Sequence, residues 1–270
     1  MKTRILAALV LVPVLVVALL LAPAFVAAAL VGLMCGIASY ELLYRTGVVK
    51  NWRLNVYSAV MAFCVSAWSY YGCPYAPALV GVFVYATLLF LEMLASNLKL
   101  KLTETAVCLF SGILVPFLLT ALVRIRMMPS GKILLFIPFL MAFLSDTGAY
   151  FVGITLGKYR LCPVISPKKS VEGFIGGIVT AVLGMLLFAF LVQRFAMLQV
   201  NYWLCLLYGL LGSVAGVMGD LSMSVIKRQA GIKDYGNLIP GHGGILDRFD
   251  SVMITAPLTE ALLLLIPFVV

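Results

Sequence analysis

The chain carries few charged residues for its length. Asp, Glu, Lys and Arg make up 11% of its 270 residues, against about 25% in an average soluble domain. So few charges cannot cover a water-soluble globule in which 64% of the residues are hydrophobic. The composition therefore predicts a polytopic membrane protein. Because each crossing needs about 20 apolar residues, it leaves room for about nine spans at most and for no large soluble domain.

The chain also has only one histidine, no paired cysteine motif and no visible internal repeat. The one histidine has no His or Cys partner at metal spacing, which argues against a zinc site. The six cysteines form no C-x-x-C pair and lie mostly in apolar segments, so we expect small buried hydrophobic residues rather than a redox or metal motif. No repeat, low-complexity tract or linker is visible, and residues 1–270 are predicted to form a single integral membrane domain.

The apolar segments predict an all-α fold of about nine transmembrane helices. Residues 5–43 form a run too long for one span, so we expect a hairpin of two helices that turns near Ala22 and Pro23. This run continues past the usual length of a signal peptide without a convincing cleavage site. The other seven segments cover residues 55–72, 76–96, 104–123, 133–153, 173–193, 201–226 and 249–269.

The distribution of Lys and Arg predicts the orientation in the membrane. With the N-terminus in the cytoplasm, 15 of the 19 basic residues fall on the inside, as the positive-inside rule requires. The four that would fall outside are Arg124, Arg126, Lys132 and Arg194. The two longest polar links, about 154–172 and 227–248, would both be cytoplasmic. We therefore expect the net charge of +9 to fix the orientation in the membrane and to attract anionic substrates. Nucleic acid is not an expected partner.

Carboxylates inside spans are candidate functional groups, because an unpaired charge in lipid costs several kcal/mol. Asp146 and Asp220 each lie a few turns inside a predicted span. Asp220 stands at the end of a stripe of glycines on one helical face, and Ser224 and Lys227 follow it on the same face. The glycines, which would let another helix approach closely, are Gly209, Gly212, Gly216 and Gly219. Four other carboxylates lie near span ends, where they can reach water or a basic residue, and we expect a structural role for them: Glu41, Glu92, Glu104 and Glu260.

The link after Arg228 holds the only histidine in the run Pro240-Gly241-His242-Gly243-Gly244. Its glycines can adopt positive φ and turn backbone N–H groups toward an anion. Asp247 and Asp250 follow on one helical face; helix capping alone would explain one of them. Together with Asp220 they suggest a Mg²⁺ site, since this ion binds one or two carboxylates plus substrate phosphates. His242 is predicted to contact a phosphate or the leaving group.

A second polar run, Ser166-Pro167-Lys168-Lys169-Ser170-Val171-Glu172-Gly173, stands immediately before a span. Proline and two lysines at a helix N-terminus bring ammonium and free N–H groups together, which is typical of a phosphate-binding site. The alternative is that these lysines only anchor the chain on the cytoplasmic side.

These motifs together resemble the signature of the phosphatidate cytidylyltransferases, or CDP-diacylglycerol synthases. The signature covers residues 224–250 and reads Ser224-x-x-Lys227-Arg228, Lys233-Asp234, Pro240-Gly241-His242-Gly243-Gly244 and Asp247-Arg248-x-Asp250. The lysine-containing run and Ser145-Asp146-x-x-Ala149-Tyr150 are similar to secondary motifs of the family. Length and number of spans agree over the whole chain. Residues 1–100 carry no specific motif, and the catalytic helices and loops are expected within 133–250.

The resemblance implies transfer of the cytidylyl group of CTP to phosphatidate, giving CDP-diacylglycerol and pyrophosphate in phospholipid synthesis. It implies dependence on Mg²⁺, a homodimer, and a site on the cytoplasmic side of the cell (inner) membrane. Asp220 and Asp247 would hold Mg²⁺, with Asp146 and Asp250 as further ligands or as ligands of a second cation. The implied catalytic residues are Asp220, Asp247, Lys227, Arg228, Lys233, Asp234, His242 and Arg248; the implied substrate and phosphate ligands are Ser166, Lys168, Lys169, Ser170, Glu172, Ser224, Gly241, Gly243 and Gly244.

Two other functions remain open from the sequence. A CTP-dependent polyprenol or phytol kinase of the same superfamily would phosphorylate a lipid alcohol and release CDP instead of pyrophosphate. A cation-coupled transporter would also use intramembrane Asp146 and Asp220, but transporter sites usually lie at the midplane between inverted repeats. A CDP-alcohol phosphotransferase is excluded, because it would need an Asp-Gly-x-x-Ala-Arg run that the chain lacks.

Overall fold

The structure is a computed structural model that describes residues 18–238 and 243–269. Predictions that concern Lys2, Arg4, Pro240, Gly241 or His242 therefore lie outside the described residues. Backbone contacts group the chain into two compact units. The first unit is Met1–Pro129 with Gln229–Phe249, and the second unit is Ser130–Arg228 with Asp250–Val270. The single integral domain stays a prediction, since two compact units can belong to one membrane domain.

Helices dominate both units. Those of the first unit up to Pro129 are α1 (Ala24–Tyr40), α2 (Trp52–Tyr70), α3 (Tyr75–Ala95), α4 (Leu102–Leu109), α5 (Val115–Leu119) and α6 (Ala121–Met127), with π-helical turns at Glu41–Arg45 and Phe110–Leu114. The chain continues with α7 (Gly131–Leu134), α8 (Phe136–Leu156), β1 (Arg160–Cys162), β2 (Ser166–Ser170), α9 (Val171–Phe195), α10 (Tyr202–Gln229), α11 (Leu246–Phe249) and α12 (Val252–Leu265). Pro23 precedes α1, so a helix begins beside the predicted turn.

Six helical stretches in the described part of the chain are long and apolar enough to cross a membrane. They are Ala24–Arg45, Tyr75–Ala95, Leu102–Met127, Gly131–Leu156, Val171–Phe195 and Tyr202–Gln229. The predicted helical, multi-pass class is confirmed, whereas the count of nine is not. Predicted segment 55–72 forms α2, which is not among the six, and predicted segment 249–269 yields α12 with only 14 residues.

Buried polar side chains explain why α2 is less apolar than its neighbours. Ser66 donates to the carbonyl oxygen of Ala28 at 2.7 Å. The hydroxyl oxygens of Ser58 and Tyr85 lie 2.8 Å apart, and Tyr85 also donates to the carbonyl oxygen of Cys108. Such bonds satisfy polar groups inside an apolar helix packing and hold the helices together. The first unit therefore combines an apolar core with a row of hydrogen-bonded side chains along α2.

Two arginines that oppose the positive-inside prediction take part in the fold. Arg126 donates from Nε to the carbonyl oxygen of Leu19 at 3.1 Å and from Nη2 to that of Leu20 at 3.4 Å. These carbonyls lie at the end of a helical stretch, where a cation is favourable. Arg124 donates to Ser69 Oγ and to the carbonyl oxygen of Phe117, both at 3.1 Å. These local hydrogen bonds account for both arginines without reference to membrane orientation.

In the second unit, α8 and α9 pack through small residues. A Cβ atom on Gly177 would lie 2.7 Å from the carbonyl oxygen of Ser145, and one on Gly173 equally close to that of Ala149. Thr255 of α12 donates to the carbonyl oxygen of Pro138 at 3.1 Å. Small residues at such contacts let helix backbones approach closely, as is common in membrane bundles.

The predicted glycine face of α10 also meets other helices. A Cβ on Gly209 would lie 2.7 Å from the Cα of Val182, and one on Gly212 would overlap the side chain of Met141. A Cβ on Gly219 would overlap the carbonyl oxygen of Asp250. The prediction of close helix approach along this face is confirmed, and its last contact places the backbone of Asp250 against α10.

We predict that Gly177→Leu lowers the free energy of unfolding by about 1–3 kcal/mol, because the new side chain would force α8 and α9 apart. Val179→Leu is the matched control, since Val179 lies on the same helix with 52% of its surface exposed. Denaturation of both purified variants in detergent measures the difference. Equal stability of the two variants would contradict the packing role of Gly177.

Candidate active site

In the first unit, Asp247 orders the segment that follows α10 and ends at Phe249, which carries most of the signature and is called the signature loop. Its Oδ2 accepts the backbone N–H of Tyr235 at 2.7 Å and that of Gly244 at 3.0 Å. Asp247 is buried, and a buried carboxylate needs such donors. Gly243 has φ of 87°, a conformation that favours glycine. A Cβ there would also crowd Asp247 Oδ2 at 2.7 Å. The N–H of Gly244 is thus directed at a protein carboxylate.

Glu41 binds the same loop from the end of α1. Its Oε1 accepts the N–H of Ile245 at 3.1 Å, and its Oε2 accepts the N–H of Leu246 at 2.9 Å. Its residue is only 3% exposed. The sequence analysis expected Glu41 to reach water or a basic residue from a span end. The carboxylate is buried instead, with Arg45 as a charged neighbour and backbone N–H groups as its hydrogen-bond partners. No local motif marks Glu41, since its hydrogen-bond partners lie more than 200 residues away, at sequence separations of 204 and 205.

Other signature residues of the first unit lie at the surface of the loop. Lys233, Asp234 and Arg248 are exposed. Gly241 and His242, predicted to contact phosphates, lie outside the described residues. The roles predicted for these five residues stay predictions.

In the second unit, Asp220 forms an ion pair with Lys169. The Nζ of Lys169 on β2 lies 2.6 Å from Oδ2 of Asp220 on α10, and both side chains are about three-quarters buried, with 22% and 26% exposed. Ser224 donates to Oδ1 of Asp220 at 3.3 Å. The structure thus brings together a predicted metal ligand, Asp220, and two predicted substrate or phosphate ligands, Lys169 and Ser224.

Two further aspartates share this electrostatic environment. Asp220, Asp146 and Lys227 are the charged groups that act on Asp250. Ser251 donates from Oγ to Oδ2 of Asp146 at 3.3 Å. Three carboxylates and two ammonium groups therefore belong to one acidic cluster, which consists of Asp146, Lys169, Asp220, Lys227 and Asp250.

A small antiparallel hairpin positions Lys169. Strands β1 and β2 pair with Arg160 opposite Ser170, an element that the helical pattern did not predict. Ser170 caps α9 by accepting the N–H of Gly173 at 3.1 Å. Glu172 accepts the N–H of Lys158 at 3.0 Å, and Arg228 donates to the carbonyl oxygen of Ile165 at 3.3 Å.

The predicted ligands in the hairpin thus differ in their surroundings. Ser170 and Glu172 hold backbone N–H groups in this structure, so a role for them in substrate binding stays a prediction. Lys168 is exposed and Ser166 half-buried. Among these five predicted ligands, Lys169 is the one that the described part of the structure pairs with a carboxylate of the acidic cluster.

The acidic cluster fits a divalent cation that also binds substrate. Its three carboxylates and two lysines leave a formal charge of −1. Within the described ranges no three His, Cys, Asp or Glu side chains form a ready cage of metal ligands. Mg²⁺ commonly takes one or two carboxylates and completes its coordination with waters and phosphates, so this donor set suits it.

We predict that Lys169→Met lowers the free energy of unfolding by about 1–2 kcal/mol, because it removes the ammonium group that lies 2.6 Å from the carboxylate of Asp220. The value is set below that of a fully buried pair, since both side chains retain some exposure. Lys168→Met, at the exposed neighbour, should change stability by less than about 0.5 kcal/mol. Denaturation in detergent without Mg²⁺ measures both; equal effects would contradict a stabilising pair.

Comparison with known proteins places these features in a family. A family model described as "Cytidylyltransferase family" matches residues 2–266. The chain is similar to phosphatidate cytidylyltransferases of Staphylococcus epidermidis (50% identical), Staphylococcus haemolyticus (48%) and Staphylococcus aureus (47%), each over 126 residues that make up 47% of this chain and 47% of the relative. The chain thus spans about half the length of the curated relatives it matches. Because the family model covers nearly the whole sequence, the chain belongs to the cytidylyltransferase family.

Proposed function

We propose that the chain is a phosphatidate cytidylyltransferase, which makes CDP-diacylglycerol and pyrophosphate from CTP and phosphatidate. The observation that carries the proposal is the ion pair between Lys169 and Asp220 at 2.6 Å inside the acidic cluster of a multi-pass membrane protein. The names of the relatives support the same activity. The pair joins a proposed cation ligand, Asp220, to a proposed phosphate ligand, Lys169, and an enzyme that couples a nucleotide to a lipid phosphate needs both functions.

The proposed reaction joins two anions, and the charges of the cluster address that difficulty. A phosphate oxygen of phosphatidate forms a bond to the α-phosphorus of CTP, and the bond from that phosphorus to the β-phosphate oxygen breaks. The electron pair of the broken bond leaves with pyrophosphate. Lysine and arginine side chains reduce the repulsion and stabilise the leaving group. We assign this role to Lys169 and Lys227, together with the predicted residues Lys168, Arg228, Lys233 and Arg248.

The cluster would also hold Mg²⁺. Asp220, Asp250 and Asp146 are its candidate ligands, and a second cation remains part of the proposal. Asp247 stays in the proposed ligand set on the signature alone, because its Oδ2 binds loop N–H groups. When bound, Mg²⁺ supplies positive charge to the phosphate oxygens.

No strong general base is needed in this proposal. The phosphate of phosphatidate is already ionised at neutral pH, so no proton must be removed before attack. His242 is assigned a phosphate or leaving-group contact instead. A kinase acting on a lipid alcohol would benefit from a base near the hydroxyl group.

The finer membrane arrangement belongs to the same proposal. We place the N-terminus and the active site on the cytoplasmic side of the cell (inner) membrane, with about nine spans and a homodimeric assembly. The excess of basic residues in the two long polar links supports this orientation. Substrates would then enter from two directions, CTP from the cytosol and phosphatidate from the lipid.

We predict that the purified protein converts CTP and phosphatidate into CDP-diacylglycerol only with Mg²⁺ present. Asp220→Asn should lower kcat/KM by at least about 100-fold, more than the loss of a ligand's supporting partner usually does. Asp247→Asn should also impair the reaction, through the metal or through the loop. Mass spectrometry of the lipid product measures turnover. Glu104→Gln, in the first turn of α4, is the control and should leave turnover unchanged.

The second product distinguishes the proposed activity from its alternatives. Release of pyrophosphate in equal amount to the lipid product is expected. Release of CDP with a phosphorylated lipid alcohol would instead identify a kinase. Near-normal turnover and Mg²⁺ requirement in both aspartate variants would contradict the metal assignment.

A further inference from the structure

Glu41 is a buried carboxylate that the proposed reaction does not use directly. Both of its oxygens accept backbone N–H groups, from Ile245 at 3.1 Å and Leu246 at 2.9 Å. An ionised carboxylate has only acceptor sites, so each oxygen needs a donor when it is withdrawn from water. The signature loop supplies those donors. The contact therefore requires a side chain at position 41 that accepts hydrogen bonds with both of its terminal atoms.

The loop is shaped to receive this carboxylate. A Cβ on Gly236 would lie 2.6 Å from Oε1 of Glu41, and one on Gly244 would overlap the carboxylate. Neither glycine has positive φ, so the need for space rather than backbone conformation explains the absence of side chains. Two glycines that lie against the carboxylate thus provide the room that Glu41 occupies.

The backbone around Glu41 is also specialised. The regular helix α1 ends at Tyr40, and Glu41 opens the π-helical turn Glu41–Arg45. Such turns are rare and frequently occur at functional sites. Leu42 and Leu43 on the same turn are at most 1% exposed, so core packing fixes the position from which the Glu41 side chain extends.

The signature loop has little regular structure of its own. Between α10 and α12 the described residues form one short helix, α11. Four backbone N–H groups of this region are bound by two protein carboxylates: those of Tyr235 and Gly244 by Asp247, and those of Ile245 and Leu246 by Glu41. Side-chain carboxylates thus bind the backbone on both sides of Gly243 and Gly244, and the exposed Lys233 and Asp234 precede the bound N–H of Tyr235 in the same segment.

We infer that Glu41 is a positioning residue that orders the signature loop for the nucleotide. Capping of α11 alone would make Glu41 a purely structural residue, with effects confined to stability. The geometry assigns Glu41 a role in substrate binding as well, because Ile245 and Leu246, whose N–H groups it binds, directly follow Gly243 and Gly244 of the signature. This inference rests on the proposed function, since it takes CTP as the ligand of the loop.

The test compares Glu41→Gln and Glu41→Asp with the control Glu92→Gln in the full-length protein in detergent. Glutamine keeps the size of the side chain but turns one acceptor into a donor that faces a backbone N–H. Aspartate keeps the charge and shortens the reach. Glu92 is also in the first unit and pairs with Arg53 at 3.4 Å, so its replacement removes a carboxylate without touching the loop.

Three measurements are needed for each variant: hydrogen–deuterium exchange of the Ile245 and Leu246 amides, steady-state kinetics for each substrate, and thermal unfolding. In Glu41→Gln we expect exchange at these amides and the KM for CTP each to rise about 10-fold or more, the factor for one lost charge-assisted hydrogen bond. The KM for phosphatidate should change less than about 2-fold. Glu41→Asp should recover part of the loss, and Glu92→Gln should match the unaltered protein.

Unchanged amide exchange in Glu41→Gln would overturn the inference, and so would a loss of thermal stability with an unchanged KM for CTP. If Glu41→Gln does not fold, Glu41→Asp decides by the same measurements. The proposed function is tested separately on the unaltered protein. If that protein forms no CDP-diacylglycerol, the proposed function is wrong. The exchange measurement would still decide whether Glu41 orders the loop.

Discussion

A carboxylate withdrawn from water must find hydrogen-bond donors or a cation, and in so apolar a chain this requirement organises the candidate functional residues within each unit. Glu41 and Asp247 find backbone N–H groups, whereas Asp220 finds the ammonium group of Lys169. The difference matters for chemistry. Backbone donors fix the path of a loop, because they cannot leave without moving the chain. A lysine side chain can change its partner, and the proposed function uses this property: Asp220 would bind a cation while Lys169 binds a phosphate.

Close helix packing decides which carboxylates can act together in the second unit. The backbone of Asp250 passes directly over Gly219, where any side chain would overlap its carbonyl oxygen. Gly219 precedes Asp220 on α10, and the approach brings Asp250 under the influence of the Asp220 charge. The stripe of glycines therefore shapes the acidic cluster, since a larger residue near its end would separate two of the cluster's aspartates.

Charges outside the candidate site also serve the fold. Counting alone makes Arg124 and Arg126 exceptions to the positive-inside rule, yet both bind carbonyl or hydroxyl oxygens within the first unit. Buried serines on α2 have a similar effect on hydropathy. They lower the apolar character of a helix whose polar groups are bonded internally. This is one reason why the number of apolar segments in the sequence differs from the number of sufficiently apolar helices in the described structure.

The sequence by itself determined the membrane class, the family and the glycine face of α10, and it singled out Asp220 and Lys169 as candidate ligands, because composition, motifs and short-range spacing carry those properties. It did not reveal that Lys169 pairs with Asp220, that a β-hairpin presents this lysine, or that Glu41 binds the signature loop. Those features depend on groups far apart in the chain: Glu41 and its two donors are separated by 204 and 205 residues. Hydrogen bonds of this kind leave no periodic pattern, so only the tertiary structure decided them.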